Sequence, residues 1–195
     1  MALRSIVVFC ASSLGSKQVF SEEATHVGRT FAVRGITLVY GGGKVGLMGA
    51  VANGALEAGG KVVGIIPHFL NSKEREHNGV TELITVESMH DRKRIMNERS
   101  DGIIALPGGF GTMEELFEMI TWAQLGLHQK PVGLLNTDGF YDHLLAFIDN
   151  MVESELLKKG NREMLLVADT IEELLEKMEN YKAPDVPKWI QEEEI

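Results

Sequence analysis

Short apolar runs of strand length alternate along this chain with longer stretches of helical periodicity, and glycine clusters stand where strand gives way to helix. Few folds tolerate that pattern. Runs rich in β-branched residues at 5–10 (SIVVFC), 36–40, 61–66, 83–86, 102–106, 132–135 and 164–167 read as strands apolar on both faces. Between them, 16–34 carries Val19, Phe20, Ala24, Val27, Phe31 and Ala32 at helical spacing and stops at Gly35. Further helices are predicted at 46–58, 89–99, from the glycines near 110 to 125, at 141–151 and at 170–180. Strands that alternate with helices and are buried on both faces require a parallel sheet covered on each side. The expected fold class is therefore α/β, a doubly wound Rossmann-like parallel sheet with helices on both faces. Residues 1–182 are expected to form a single nucleotide-binding domain, followed by an acidic, proline-bearing tail at 183–195. The polar stretch 67–81 has no clear period, and a loop of that length in a compact domain is functional or mobile.

Composition narrows the function. A net charge of −9 opposes non-specific nucleic-acid binding and membrane-surface attachment, which need a basic face. One cysteine, Cys10, allows no intrachain disulfide and no thiolate metal cluster. Its place on an apolar strand marks it as buried rather than reactive. The opening residues hold one apolar run of strand length, so neither a signal peptide nor a membrane span is expected, and the expected location is cytoplasmic. The six histidines show no paired ligand spacing, so no metal site is expected.

In open α/β sheets, ligands sit beyond the carboxyl ends of the strands. Two glycine clusters fall there. Residues 107–115 (PGGFGTMEE) follow a strand and open a helix. Glycines at 108, 109 and 111 allow close backbone approach, and a helix start favours an anion, so this is a phosphate seat with Glu115 within reach of a ribose. The alternative is a plain strand-to-helix turn in which Thr112 and Glu115 form a capping box.

The second cluster is 41–49 (GGGKVGLMG), where Gly41, Gly43 and Gly46 satisfy G-x-G-x-x-G. No acid ends the following strand, as a dinucleotide site would want, and Val45 replaces the Ser or Thr of a P-loop. Gly46 and Gly49 are assigned to close packing, while Gly42 and Gly43, with Ser13 after the first strand, are candidate phosphate or sugar contacts. Residues 89–94 (MHDRKR) set three cations in one helical turn of an acidic protein. Arg92 suits planar recognition of oxygens. Lys44 and Lys93 are conceivable Schiff-base lysines, but nothing else resembles a pyridoxal site.

Together, PGGFGTMEE, GGGKVGLMG and MHDRK resemble the Lonely Guy family of cytokinin-activating phosphoribohydrolases, whose hallmark is P-G-G-x-G-T-x-x-E with M-H-x-R-K upstream. The likeness runs from the first strand to at least Tyr141, with 22 residues between Arg92 and Glu115. Some members carry the label lysine decarboxylase, which the resemblance does not support. It implies hydrolysis of N6-substituted adenosine 5′-monophosphates to free base and ribose 5-phosphate, without a cofactor. Arg92 and Glu115 would be catalytic. Glu74, Arg92, Lys93, Gly109, Phe110, Gly111, Thr112, Met113, Glu114, Glu115 and Thr121 would contact substrate, with Glu76 an alternative to Glu74. The resemblance also implies a homodimer, and the segment 119–127 (MITWAQLGL), apolar nearly all round, fits an interface. The alternatives are a non-catalytic nucleotide- or molybdenum-cofactor-carrier-like protein and an AMP nucleosidase with little N6 preference.

Overall fold

The computed structural model describes residues 3–70 and 76–184. Its centre is a seven-stranded parallel sheet ordered β4-β3-β2-β1-β5-β6-β7. The strands are β1 (Ser5–Phe9), β2 (Thr37–Tyr40), β3 (Val62–Pro67), β4 (Glu82–Val86), β5 (Gly102–Ala105), β6 (Val132–Leu135) and β7 (Leu165–Ala168). The helices are α1 (Gln18–Arg34), α2 (Gly46–Glu57), α3 (Met89–Glu98), α4 (Phe110–Gln124), α5 (Asp142–Glu153), α6 (Lys159–Arg162) and α7 (Ile171–Glu179). The expected architecture is therefore present: strands and helices alternate, and the central strands are buried.

Strand alternation divides the core into two layers. Ile6 and Val8 point with Leu38 and Ile104 into a layer closed by α1, α2 and α7. Val7 and Phe9 point with Val39 and Ile103 into the layer closed by α3, α4 and α5, where Met96, Leu116, Met119 and Ile148 pack. α1 and α2 cross closely because glycines face backbone. A Cβ on Gly28 would stand 2.1 Å from the Val51 carbonyl oxygen, and one on Gly54 would stand 2.2 Å from that of Thr25.

The order of strands reverses beside β1, so the loops after β1 and β5 diverge and leave a crevice at the carboxyl edge. α3 returns the chain from the outer strand β4 to the central strand β5. Its start is fixed by Ser88, whose side chain accepts from the Asp91 N–H at 3.0 Å while its hydroxyl donates to the Asp91 carboxylate at 2.7 Å. No helix among the described residues is long and apolar enough to cross a membrane.

Three local readings differ from the sequence expectation. α1 begins at Gln18 with Lys17 at its cap, two residues later than the stretch read from 16. α6 is a single turn that shows no amphipathic period. Pro67 belongs to β3, paired with Val86, because the end of a strand tolerates the missing N–H.

His128 is buried and neutral in the fold, with Nε2 donating to the Met119 carbonyl at 2.9 Å and Nδ1 accepting from the Lys130 N–H at 3.2 Å. Burial lowers its pKa from 6.5 to about 4, with Lys130 adding to that effect. The unfolded chain therefore takes up a proton first as pH falls. Stability present above about pH 6.5 is lost progressively towards about pH 4, by about 3 kcal/mol in all. Urea unfolding at about pH 7 and about pH 4.5 should show this loss, and His128→Gln should shrink the difference. An equal loss in the variant would assign the effect to other groups.

Candidate active site

The crevice at the carboxyl edge opens into a cavity of about 620 Å³. Its walls come from the ends of β1, β2 and β3 and from α3 and α4. Arg92 and Glu115 face each other across it, each less than 10% exposed, with Arg92 Nη1 3.3 Å from Glu115 Oε1.

Arg92 is fixed by backbone. Its Nε donates to the Ile65 carbonyl at 3.2 Å and its Nη2 to the Gly41 carbonyl at 3.4 Å, so β3 and β2 both hold the guanidinium. Gly41 is needed for that approach. A Cβ there would lie 2.1 Å from Nη2. Gly41→Ala is expected to fold but to displace the guanidinium. With one or two charge-assisted hydrogen bonds weakened, at about 1.5–3 kcal/mol each, turnover efficiency should fall at least about tenfold. Steady-state kinetics beside a thermal melt will read this, and wild-type kcat/KM in a folded variant would remove Gly41 from the argument.

Glu115 lies in the second turn of α4. Burial pushes its carboxyl above the usual range, and Arg92 pulls it back only in part. The result is a more basic carboxylate than one in water, held beside a fixed cation. Cys10 lies near the pair and lines the cavity. Burial drives its thiol strongly up, with Glu115 adding to this, so it stays neutral, in line with its reading as an unreactive residue.

The start of α4 lines the same cavity. Gly109 is the cap, in extended conformation and without a side-chain cap bond, and the first helical bond runs from the Met113 N–H to the Gly109 carbonyl at 3.0 Å. By helix geometry the N–H groups of Phe110, Gly111 and Thr112 have no partner within the helix. Space beside Gly109 and Gly111 is open, whereas a Cβ on Gly108 would meet Thr112 Oγ1 at 2.1 Å. The capping-box alternative does not hold: Thr112 is the third helical residue rather than the cap, and Glu115 faces Arg92.

The remaining predicted residues divide. Ser13, Gly43, Gly109, Phe110, Gly111 and Thr112 line the cavity. Gly42 does not. Its φ of +74° turns the chain so that it packs against Ile66 and Leu83 of β3 and β4. Gly46 and Gly49 serve close packing, as read, against the Ser12 and Lys44 backbone. Lys93 is buried outside the cavity lining and paired with Glu114 and Glu118. Those carboxylates hold it as an ammonium, the wrong state for a Schiff base. Met113 packs against the core, and the Thr121 hydroxyl donates to the Phe117 carbonyl at 2.7 Å. Glu74 lies outside the described residues, and Glu76 pairs by backbone with Gly43.

Sequence reasoning missed Met48, Ile66, Leu70 and Met96. Met96 was within reach, since it follows Arg92 by four residues on one helix face. Val45, Leu70 and Phe110 give the mouth an apolar rim from the connections after β2 and β3 and from the first residue of α4, and Phe110 is 96% exposed.

Residues 48–178 match the family model described as "possible lysine decarboxylase". The cytokinin riboside 5′-monophosphate phosphoribohydrolase LOG5 of Arabidopsis thaliana is 49% identical over 179 residues, covering 92% of this chain and 78% of that protein. The probable phosphoribohydrolase LOGL1 of Oryza sativa subsp. japonica is 51% identical over 176 residues, 90% of this chain and 79% of its own. Among solved structures, the molybdenum cofactor binding protein of Rippkaea orientalis shares the fold, with a TM-score of 0.68 at 24% identity over 92% of this chain and 97% of that one. With that extent of identity to the plant phosphoribohydrolases and a family match over most of its length, the chain belongs to the Lonely Guy family, the one whose model is described as a possible lysine decarboxylase.

Proposed function

We propose that this protein hydrolyses the N-glycosidic bond of N6-substituted adenosine 5′-monophosphates, releasing the base and ribose 5-phosphate, as the names of its plant relatives state for them. The observation that carries the reading is the buried Arg92–Glu115 pair lining one cavity together with the start of α4. The N–H groups of Phe110, Gly111 and Thr112 seat the 5′-phosphate, with the helix dipole behind them. The open space at Gly109 and Gly111 admits the phosphate to the backbone. Ser13 and Gly43 complete the polar wall around the sugar.

Cleavage builds positive charge on the ribose as the C–N bond lengthens. Glu115 stabilises that charge and takes a proton from the attacking water, a task suited to its raised basicity. Arg92 orients Glu115 and the sugar hydroxyls, its own position set by the carbonyls of Ile65 and Gly41. The purine departs towards the apolar rim. The test is to incubate the protein with AMP and with N6-isopentenyl-AMP and to quantify base and ribose 5-phosphate. Both products should appear from the N6-substituted nucleotide, and no base from either would overturn the reading.

The same reading includes a homodimer. On α4, Met119 and Ala123 are buried in the core, but Ile120 and Trp122 are half-buried and Phe117 is 37% exposed. Apolar surface on a helix that has already filled its core face favours an interface. Light scattering should give twice the chain mass of 21.5 kDa, and a stable species at that single mass would count against the interface.

A further inference from the structure

We propose that Lys93 is a positioning residue: clamped between Glu114 and Glu118, it ties α3 to α4 and governs the ionisation of Glu115. The inference deepens the functional reading above and rests on it for the role of Glu115.

Two consecutive residues of α3 meet α4 in register. Arg92 pairs with Glu115, and Lys93 pairs with Glu114 and Glu118. Glu114 and Glu118 are one helical turn apart on the same face of α4, and Glu115 is rotated from Glu114 by about 100°. The Lys93 ammonium therefore sits beside the reacting carboxylate without entering the cavity. Its side chain is 9% exposed, so its charge is poorly screened. Lys93 Nζ stands 2.9 Å from Glu118 Oε2 and also donates to the Glu114 carboxylate.

The charges of this cluster do not cancel. Arg92 and Lys93 supply two cations against the carboxylates of Glu114, Glu115 and Glu118. Removing Lys93 leaves one cation for three carboxylates, two of them largely buried. Proton uptake relieves that excess most cheaply at Glu115, which is the most buried of the three. The electrostatic influences have matching signs: burial raises Glu115, Arg92 lowers it, Glu114 and Glu118 raise it and Lys93 lowers it. Lys93 itself stays charged throughout that range. Burial opposes its charge, but Glu114 and Glu118 more than offset this, and its pKa ends above the ordinary lysine value. Among the described residues Cys10 also lies near Glu115, and it stays a neutral thiol.

A purely structural clamp and an electrostatic one differ in a sign. Lys93→Met and Glu118→Gln break the same contact, so a structural role moves both variants in one direction. An electrostatic role moves them apart. The experiment is kcat/KM against pH for release of base from N6-isopentenyl-AMP by the full-length protein. It is paired with titration of Glu115 by carbon NMR of glutamate-labelled protein, which needs no turnover. Lys93→Met should move the acid limb, and the Glu115 titration, up by about one pH unit, in line with the effect of one nearby charge. Glu118→Gln should move both down, and Lys93→Arg should leave them at the wild-type position. An unmoved limb in Lys93→Met with a raised KM would make Lys93 a substrate contact, and a shift of both variants in one direction would make it a structural strut. Either result overturns the proposal. If Lys93→Met does not fold, the sign of the Glu118→Gln shift decides. Should the wild type release no base, the functional reading fails, while the NMR titration still judges the electrostatic one.

Discussion

Glu115→Gln is expected to fold and to lose about 10²–10⁴-fold in kcat, the range that general base catalysis supplies. The substitution keeps the shape and leaves a neutral amide beside Arg92 Nη1, which lies 3.3 Å from the native carboxylate. Charge and basicity go. Arg92 keeps the carbonyls of Ile65 and Gly41, so its charge is not stranded, although stability should fall by about 1–3 kcal/mol for the weakened buried pair. The pH profile supplies a second reading. Burial raises Glu115, so the wild type should lose kcat/KM on acidification at a higher pH than an ordinary carboxylate of pKa 4.5. The sign follows from the role: the ionised form is active, and protonation removes it. The variant should lack that limb. A folded Glu115→Gln with near-wild-type kcat would leave Glu115 as an ion-pair partner and nothing more.

The 5′-phosphate should be required for efficient turnover. Three N–H groups at the start of α4 have no helical partner, and the space before Gly109 and Gly111 is open. An anion there gains hydrogen bonds of about 1.5–3 kcal/mol each, so losing two costs about 3–6 kcal/mol. At 1.36 kcal/mol per tenfold, N6-isopentenyladenosine should fall at least about 10² below its monophosphate in kcat/KM. Part of the loss should appear in kcat, because a phosphate held at Gly109 keeps the ribose against Glu115. Paired steady-state kinetics on the two compounds decides it, and equal values would empty the seat.

Which elements exist could be read from residue order, because periodicity and glycine placement are local signals. β1 shows its β-branched run, α1 its helical spacing and Gly35 stop, and the turn into α4 at 108–112 its glycines. Contacts between distant elements could not be read in this way. Gly42 and Gly43 are neighbours with the same side chain, and the positive φ of Gly42 sends one into packing and the other to the cavity. The carbonyls that hold Arg92 lie 51 and 27 residues upstream, and nothing in Gly41 or Ile65 advertises that role. Lys93 directly follows Arg92, and the resemblance makes both substrate contacts. Its partners arrive with α4, 21 residues or more later, and turn it away.

The apolar rim has a consequence for how this enzyme can diversify. Val45 and Leu70 come from the connections after β2 and β3 and Phe110 is the exposed first residue of α4, while Arg92 and Glu115 stand on the buried faces of helices braced by the sheet. Loops tolerate replacement, and packed elements do not. A lineage can therefore exchange one rim residue at a time and drift towards smaller or bulkier leaving groups, without passing through a form whose chemistry is lost. The same separation offers a protein engineer three nearly independent positions for a library, with the reacting pair left untouched.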